Sequence, residues 1–362
     1  MLLANEVTAI APTSTSSGFN HEDIALCLTI AKAKYPAHRV QLLAQPGGCS
    51  LTLSATPPSS TVPSQSHDDD TIVIQFRLSR FSLKATIAHE SRAIYGSLVP
   101  APLCFEELDT SHGALLQMCA MTSIEGVRFS EVQPKEKCLG HGDVVRMETL
   151  MDGMARFFAV GRKSGNFERS MDGKVGKTIL QRLRKLEREL PLEWMRTEAG
   201  MVADAVERGG LECLPVVLNH GDLLPSNVLV DDKSWELSGL VDWAEAEYLP
   251  FGMTLYGIEH LLGFQHECSG TSTVPHFTSY AEAGVLRDRF WARLLEHIPE
   301  LADIHVQAAV LLSRKIGTLL WHGFAWDDGK IDRVVNGADD LQEMAYLEAF
   351  CTATTDQQRS KL

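Results

Sequence analysis

Apolar residues fall into two regimes along this chain. Up to about residue 120 they sit in short alternating or β-branched runs bounded by turn residues; beyond Gly140 they recur at three- and four-residue spacing through long segments. The first regime predicts a helix over His21–Lys34, with Asn20 as N-cap and Ile24, Cys27, Leu28 and Ala31 on one face, then a hairpin of Val40–Ala44 and Cys49–Ser54 about a Gln-Pro-Gly-Gly turn. Thr71–Arg77 alternates as a strand. Ser82–Tyr95 reads as a helix capped by Ser82, ended by Gly96 and turning Leu83, Ile87 and Ile94 inward, and Leu103–Glu107 and Ala114–Cys119 read as two more strands. The second regime predicts helices over Val144–Val160, Val175–Leu190, Thr197–Arg208, Leu255–Phe264, Tyr280–Leu295, Ile304–Trp321 and Asp339–Cys351, with Thr271–Pro275 a loop. Residues 1–20 and the Pro- and Ser-rich stretch 55–70 hold too few apolar groups to offset the entropy of ordering, so both are expected to be mobile.

Between the long helical segments lies a different stretch, VVLNHGDLLPSNVLVDDKSWELSGLVDWAEAE, residues 216–247. Its β-branched start predicts a buried strand that delivers His220 and Asp222 to a strand end; Val228–Val230, an Asp231-Asp232 turn and Leu237–Val241 follow as a hairpin ending at Asp242. A His-x-Asp-x4-Asn run with a second Asp at a nearby strand end suits phosphoryl transfer. One acid takes the acceptor hydroxyl's proton, and an amide oxygen and a second acid hold Mg²⁺ against the phosphates. Those roles fall to Asp222, Asn227 and Asp242, and the separation of 15 positions from Asn227 to Asp242 leaves room for a strand, a turn and a strand. His220 braces the loop rather than serving as a base. Each part also has an ordinary reading, Asp222 as a cap, Asn227 as a turn former and Asp242 as a surface acid.

HGDLLPSNVLV and GLVDWAEAEYLPFG resemble the aminoglycoside phosphotransferase and choline kinase group of small-molecule kinases, in the form found among fungal members. The specific likeness covers residues 216–264 and a weaker one residues 40–130. It implies an α+β, two-lobed protein-kinase-like fold: a small N-terminal antiparallel-sheet lobe over residues 21–119 for the nucleotide, and a larger, mainly helical lobe over 120–355 for catalysis and the acceptor. It implies Mg²⁺ and an ATP or GTP donor, and it names no acceptor. By position it gives Arg77 and Glu90 the roles of the phosphate-binding base and the acid that orients it, with Arg where the family pattern has Lys, a rigid fork in place of a point charge. It also places the nucleotide base against the backbone of Gln117–Cys119, and the phosphates under Gly47 and Gly48, where an ordinary hairpin turn is the rival reading. The acid that bacterial members carry near position 254 is replaced by Thr254. In the loop FAWDDGK, Trp326, Asp327 and Asp328 could face a cationic acceptor, or form no more than a capped turn.

Composition narrows the partners. A net charge of −14 argues against nucleic acid or an anionic membrane. The longest apolar stretch, 306–326, is broken by Ser313, Arg314, Lys315 and His322, which suits a buried helix and not a membrane span. The eight cysteines show no C-x-x-C pair, so reduced thiols are expected, and the N-terminus lacks a basic start and apolar core, so a cytoplasmic protein is expected. The leading expectation is a Mg²⁺-dependent kinase acting on a small-molecule hydroxyl. A nucleotide-binding pseudokinase, which Arg77 would suit, and a kinase-like fold turned to other metabolite chemistry stand beside it.

Overall fold

The computed structural model describes residues 19–43, 49–58, 71–109, 115–266, 275–327 and 330–359. The chain divides into two compact units, residues 1–85 with 102–123, and residues 86–101 with 124–362.

In the first unit α1 (His21–Lys34) opens at a reciprocal cap. Asn20 accepts from the Asp23 N–H while the Asp23 carboxylate accepts from the Asn20 N–H. The sheet runs in the order β1 (Arg39–Leu42), β2 (Ser50–Thr56), β3 (Ile72–Leu78), β5 (Leu115–Thr122), β4 (Pro102–Asp109), antiparallel throughout. Alternate residues Leu51, Leu53, Ile74, Phe76, Leu116 and Met118 pack beneath Cys27 and Ala31 of α1, as the period-2 pattern requires. Ala55 and Thr56, expected in the mobile stretch, belong to β2 instead, paired with Val40 and Arg39. Residues 59–70, like 1–18 and the loop 271–274, lie outside the described residues.

The second unit begins with α2 (Ala85–Tyr95), whose first residue still belongs to the first unit. It starts three residues later than its sequence suggests, because Ser82 closes a 3-10 turn over Ser79–Phe81 and so cannot cap the helix. Its ladders are β10 (Glu247–Pro250) on β7 (Val216–Asn219), and β6 (Val127–Arg128) on β8 (Val228–Val230) on β9 (Leu237–Leu240). The short α3 (Phe129–Val132) leads to α4 (His141–Lys163), which packs on α8 (Ala283–His297) and on β7 through Met147, Leu150, Met154, Phe157 and Phe158. A second core joins α5 (Ile179–Glu189), α6 (Glu193–Glu207), α9 (Ile304–His322) and α10 (Leu341–Arg359). The expected helix over residues 255–264 is shorter: a 3-10 turn, Met253–Tyr256, and α7 (Gly257–Leu261) give way to β11 (Gly263–Gln265), which pairs with β12 (Phe277–Ser279). Glu259 of α7 is buried between Arg287 of α8 and Arg314 of α9, with oxygen-to-nitrogen distances of 2.6 and 2.7 Å, and fastens three helices at one point. Among the described residues no helix is long and apolar enough to cross a membrane.

Candidate active site

The 216–247 stretch folds as its spacing suggests. β7 is buried at all four residues and ends at Asn219, whose amide donates to the Val217 and Leu249 carbonyls while its oxygen accepts from the Thr254 N–H and hydroxyl. Thr254 is buried and paired with that neutral amide. The chain then turns through Gly221 at φ +80°, where a Cβ would lie 2.0 Å from the Glu245 carbonyl oxygen, so both the backbone angle and the close approach demand glycine.

His220 is buried, with Nε2 2.9 Å from the Val241 carbonyl and Nδ1 accepting from the Asp222 N–H at 3.2 Å. Only the neutral ring protonated at Nε2 makes both bonds. Burial pushes its pKa down to about 4, against the weaker pull of the Val241 carbonyl and the Asp242 charge. The ring therefore spans from the strand end before Asp242 to the loop carrying Asp222 and is unsuited to taking a proton at neutral pH.

Asn227 faces Asp222 across the loop. Its side-chain amide donates at 2.9 Å both to Asp222 Oδ2 and to the Asp222 backbone carbonyl, and its own backbone carbonyl accepts from the Val241 N–H at 3.0 Å. Asp242 follows directly, in the left-handed region at φ 61° and ψ 67°, a conformation that turns the chain sharply off the end of β9. The other Asp222 oxygen, Oδ1, is inaccessible to solvent and has no hydrogen-bond partner. Burial first, then the Asp242 charge, push the Asp222 carboxyl up to about 7; the Asn227 bond opposes the shift, and Glu245 and Glu343 add to it. Asp222 is thus a buried acid with one oxygen bonded to Asn227, the other without a hydrogen-bond partner, and a second acid charge acting on it from Asp242.

The other residues singled out by sequence belong to both units. Arg77 lies on β3 of the first unit, buried, with its guanidinium donating to Gln75 Oε1 at 3.0 and 3.1 Å and to the Phe81 carbonyl at 3.3 Å. Gln117 and Cys119 lie on β5 of that unit; the Gln117 side chain exchanges two hydrogen bonds with the Leu83 backbone, and the Cys119 thiol is pushed up to about 12 by burial. Glu90 belongs to the second unit, where it accepts from the Tyr248 hydroxyl at 2.7 Å while the Arg169 guanidinium lies 3.8 Å over the Tyr248 ring. Gly47, Gly48 and Asp328 fall outside the described residues. Trp326 is exposed, and Asp327 is held by Arg333, which grips Asp340 as well, so that acid is engaged in a surface ion cluster.

Sequence reading missed Tyr256 and Glu343. The Tyr256 hydroxyl reaches the Gly221 carbonyl at 3.3 Å, and the charge of Glu343, on α10, acts on Asp222. No local motif marks either residue; helix packing brings them to the site.

Residues 84–253 match the phosphotransferase enzyme family. Among solved structures, a protein from Ralstonia eutropha described as a candidate aminoglycoside phosphotransferase shares 12% identity at a TM-score of 0.52, covering 92% of this chain and 98% of its own. It shares the fold. Looser likenesses reach choline kinase LicA from Streptococcus pneumoniae (TM-score 0.44, 12% identity, 90% of this chain and 98% of that one) and aminoglycoside phosphotransferase APH(3'')-Id from Streptomyces rimosus with ADP and streptomycin (0.45, 11%, 80% and 98%). No curated protein matches the sequence.

Proposed function

We propose that this chain, a phosphotransferase with a domain of the phosphotransferase enzyme family over residues 84–253, moves the terminal phosphoryl group of ATP or GTP to a hydroxyl of a small molecule, with magnesium. The observation that carries the reading is the Asp222 carboxyl: one oxygen fixed by Asn227, the other buried without a partner, and a second acid at the adjacent strand end.

Asp222 accepts the acceptor's proton as the hydroxyl oxygen forms its bond to the γ-phosphorus and the bond from that phosphorus to the β–γ bridging oxygen breaks, so the nucleoside diphosphate leaves. A carboxyl lifted to about 7 is poised between holding and releasing a proton at neutral pH. Asn227 aims that carboxyl, and His220 fixes the loop's height against Val241. Among the described residues no three His, Cys, Asp or Glu side chains gather as a metal cage; one carboxylate and one amide oxygen fit Mg²⁺, which keeps waters and takes phosphate oxygens for the rest. Asn227 and Asp242 would hold it, and when bound it supplies positive charge against the phosphates.

A nucleotide-binding protein without turnover is the second reading, favoured by the Arg77 guanidinium being engaged by Gln75 and Phe81. Thermal stability with ATP or GTP, with and without Mg²⁺, separates the two. The kinase reading expects a Mg²⁺-dependent nucleotide shift, about 2.7 kcal/mol at a hundred times the dissociation constant, lost in Asp242→Asn. Binding without metal dependence favours the second reading, and no nucleotide effect at all overturns both.

A further inference from the structure

Two peptide groups flank Asp222, and each has two poles, a carbonyl and an N–H. The loop's own side chains and turn hold one pole of each. His220 Nδ1 accepts from the Asp222 N–H at 3.2 Å, and the Asp222 backbone carbonyl accepts from the Asn227 side chain at 2.9 Å and from the Leu224 N–H at 3.0 Å. The other two poles meet a single side chain from another element. The Tyr256 hydroxyl donates to the Gly221 carbonyl at 3.3 Å, and the Leu223 N–H donates to the same oxygen. A hydroxyl gives one proton and accepts at its lone pairs, so one phenol serves both. Burial first, then the Asp222 charge, holds that phenol well above its ordinary pKa, and it remains a donor at neutral pH.

Why both poles matter follows from peptide geometry. A planar peptide held at one pole rocks about the line joining its Cα atoms, and rocking either of these two changes φ or ψ of Asp222 and swings its carboxyl. Held at both poles, neither plane rocks. Tyr256 is itself fixed. It closes the 3-10 turn Met253–Tyr256, whose Thr254 bonds Asn219 at the end of β7. Behind that turn α9 comes so close that a Cβ on Gly317 would lie 1.7 Å from the Met253 carbonyl oxygen and 3.1 Å from the Tyr256 ring. The buried ring stacks on Trp321 of α9 at 5.6 Å and 22°, and His322 meets it edge-on at 5.8 Å. The hydroxyl is therefore presented to the loop from a packed support, all of it within the second unit.

We infer that Tyr256 is a positioning residue for the reaction: its hydroxyl locks both peptide planes beside Asp222 and so sets where the carboxyl meets the acceptor's proton. The inference rests on the phosphotransfer reading. Acting through Asp222 alone, Tyr256 should weigh on kcat and leave the KM for nucleotide as it is. A misplacement of about 1 Å costs a catalyst roughly a hundredfold, and loosening one clamp of several costs a part of that. A tyrosine that merely fills the core is the rival account, and it predicts a lower melting temperature with kcat intact.

The test follows ADP release from Mg-ATP in the full chain, with water as the acceptor, beside thermal melting of each variant. Tyr256→Phe keeps the ring and removes only the hydroxyl; its kcat should fall by about tenfold or more while the KM for Mg-ATP stays within about twofold. Leu183→Ala, a cut in the fully buried second core, is the control for destabilisation and should lower the melting temperature with kcat unchanged. Should Tyr256→Phe melt below the assay temperature, Trp321→Leu decides by the same measurement: it leaves the hydroxyl but removes the plate under its ring, and kcat should fall by about threefold or more at unchanged KM. An unchanged kcat in the folded variant that decides, or an equal loss of kcat in Leu183→Ala, overturns the inference while Asp222-dependent hydrolysis keeps the kinase reading. Hydrolysis that is absent from wild type, or equal in wild type and Asp222→Asn, overturns both.

Discussion

Asp222→Asn should make the protein more stable while abolishing turnover, and the size of the gain should depend on pH in a defined way. A carboxyl ordinarily at 3.8 but held at about 7 in the fold is destabilising once ionised. With the folded value above the unfolded one, the folded state binds the extra proton between about pH 4 and 7. Stability attached to this group is therefore fully present below pH 4 and lost as pH rises through 7. Three pH units at about 1.4 kcal/mol each set a ceiling of about 4 kcal/mol at pH 8, and an Asn can still accept the Asn227 bond through its carbonyl oxygen. Urea denaturation of both proteins at several values from pH 4.5 to 8.5, in chelator so that no metal offsets the charge, measures the gap. It should be small at the acid end and widest at the alkaline end. His220, lowered to about 4 by burial, is common to both proteins and cancels. An Asn variant no more stable than wild type at pH 8, or a gap that does not change with pH, would show that Asp222 is not strained by burial and would refute the reasoning.

Three further outcomes follow from the same geometry. Gly221→Ala, forced to hold φ +80° with its Cβ against the Glu245 carbonyl, should lose at least about 2 kcal/mol of stability in the second unit and most of its turnover, read by thermal melting and ADP release. Glu259→Ala removes the carboxylate from between the buried Arg287 and Arg314 and should cost about 3–5 kcal/mol; a variant that melts with wild type would show the triad carries no weight. Asp327→Ala removes only a surface partner of Arg333, which keeps Asp340, so stability and turnover should match wild type, and a raised acceptor KM would restore Asp327 to the acceptor site.

The His220, Asp222, Asn227 and Asp242 cluster was legible in the sequence because a strand, a loop and a hairpin bring it together over 23 residues, and turn chemistry fixes such short paths. The helical unit was legible for the same reason, since period and caps are local; the error at residues 255–264 arose where a continuous apolar run hid a change from helix to strand. Glu343 was not legible. It bonds to His322, which meets His260, 21 and 83 residues away from Glu343, and nothing in EMAYLEAF distinguishes a carboxylate bonded to a buried histidine from a solvated one. Trp326 and Asp327 drew notice by their place in the resemblance and by residue type, neither of which reveals that an arginine six residues on holds the acid.

His220 has a mechanical consequence. A rigid aromatic ring, bonded at one edge to the Val241 carbonyl and at the other to the Asp222 N–H, acts as a fixed-length strut between the two loops. Flexible substitutes such as Gln could satisfy one end but would let the other drift. A shift of β9 of a few tenths of an ångström would then pass undiminished to Asp222, so substitutions behind β9, for instance at Gly153 where a Cβ would meet Leu237 at 2.9 Å, should slow the reaction from a distance without touching either substrate.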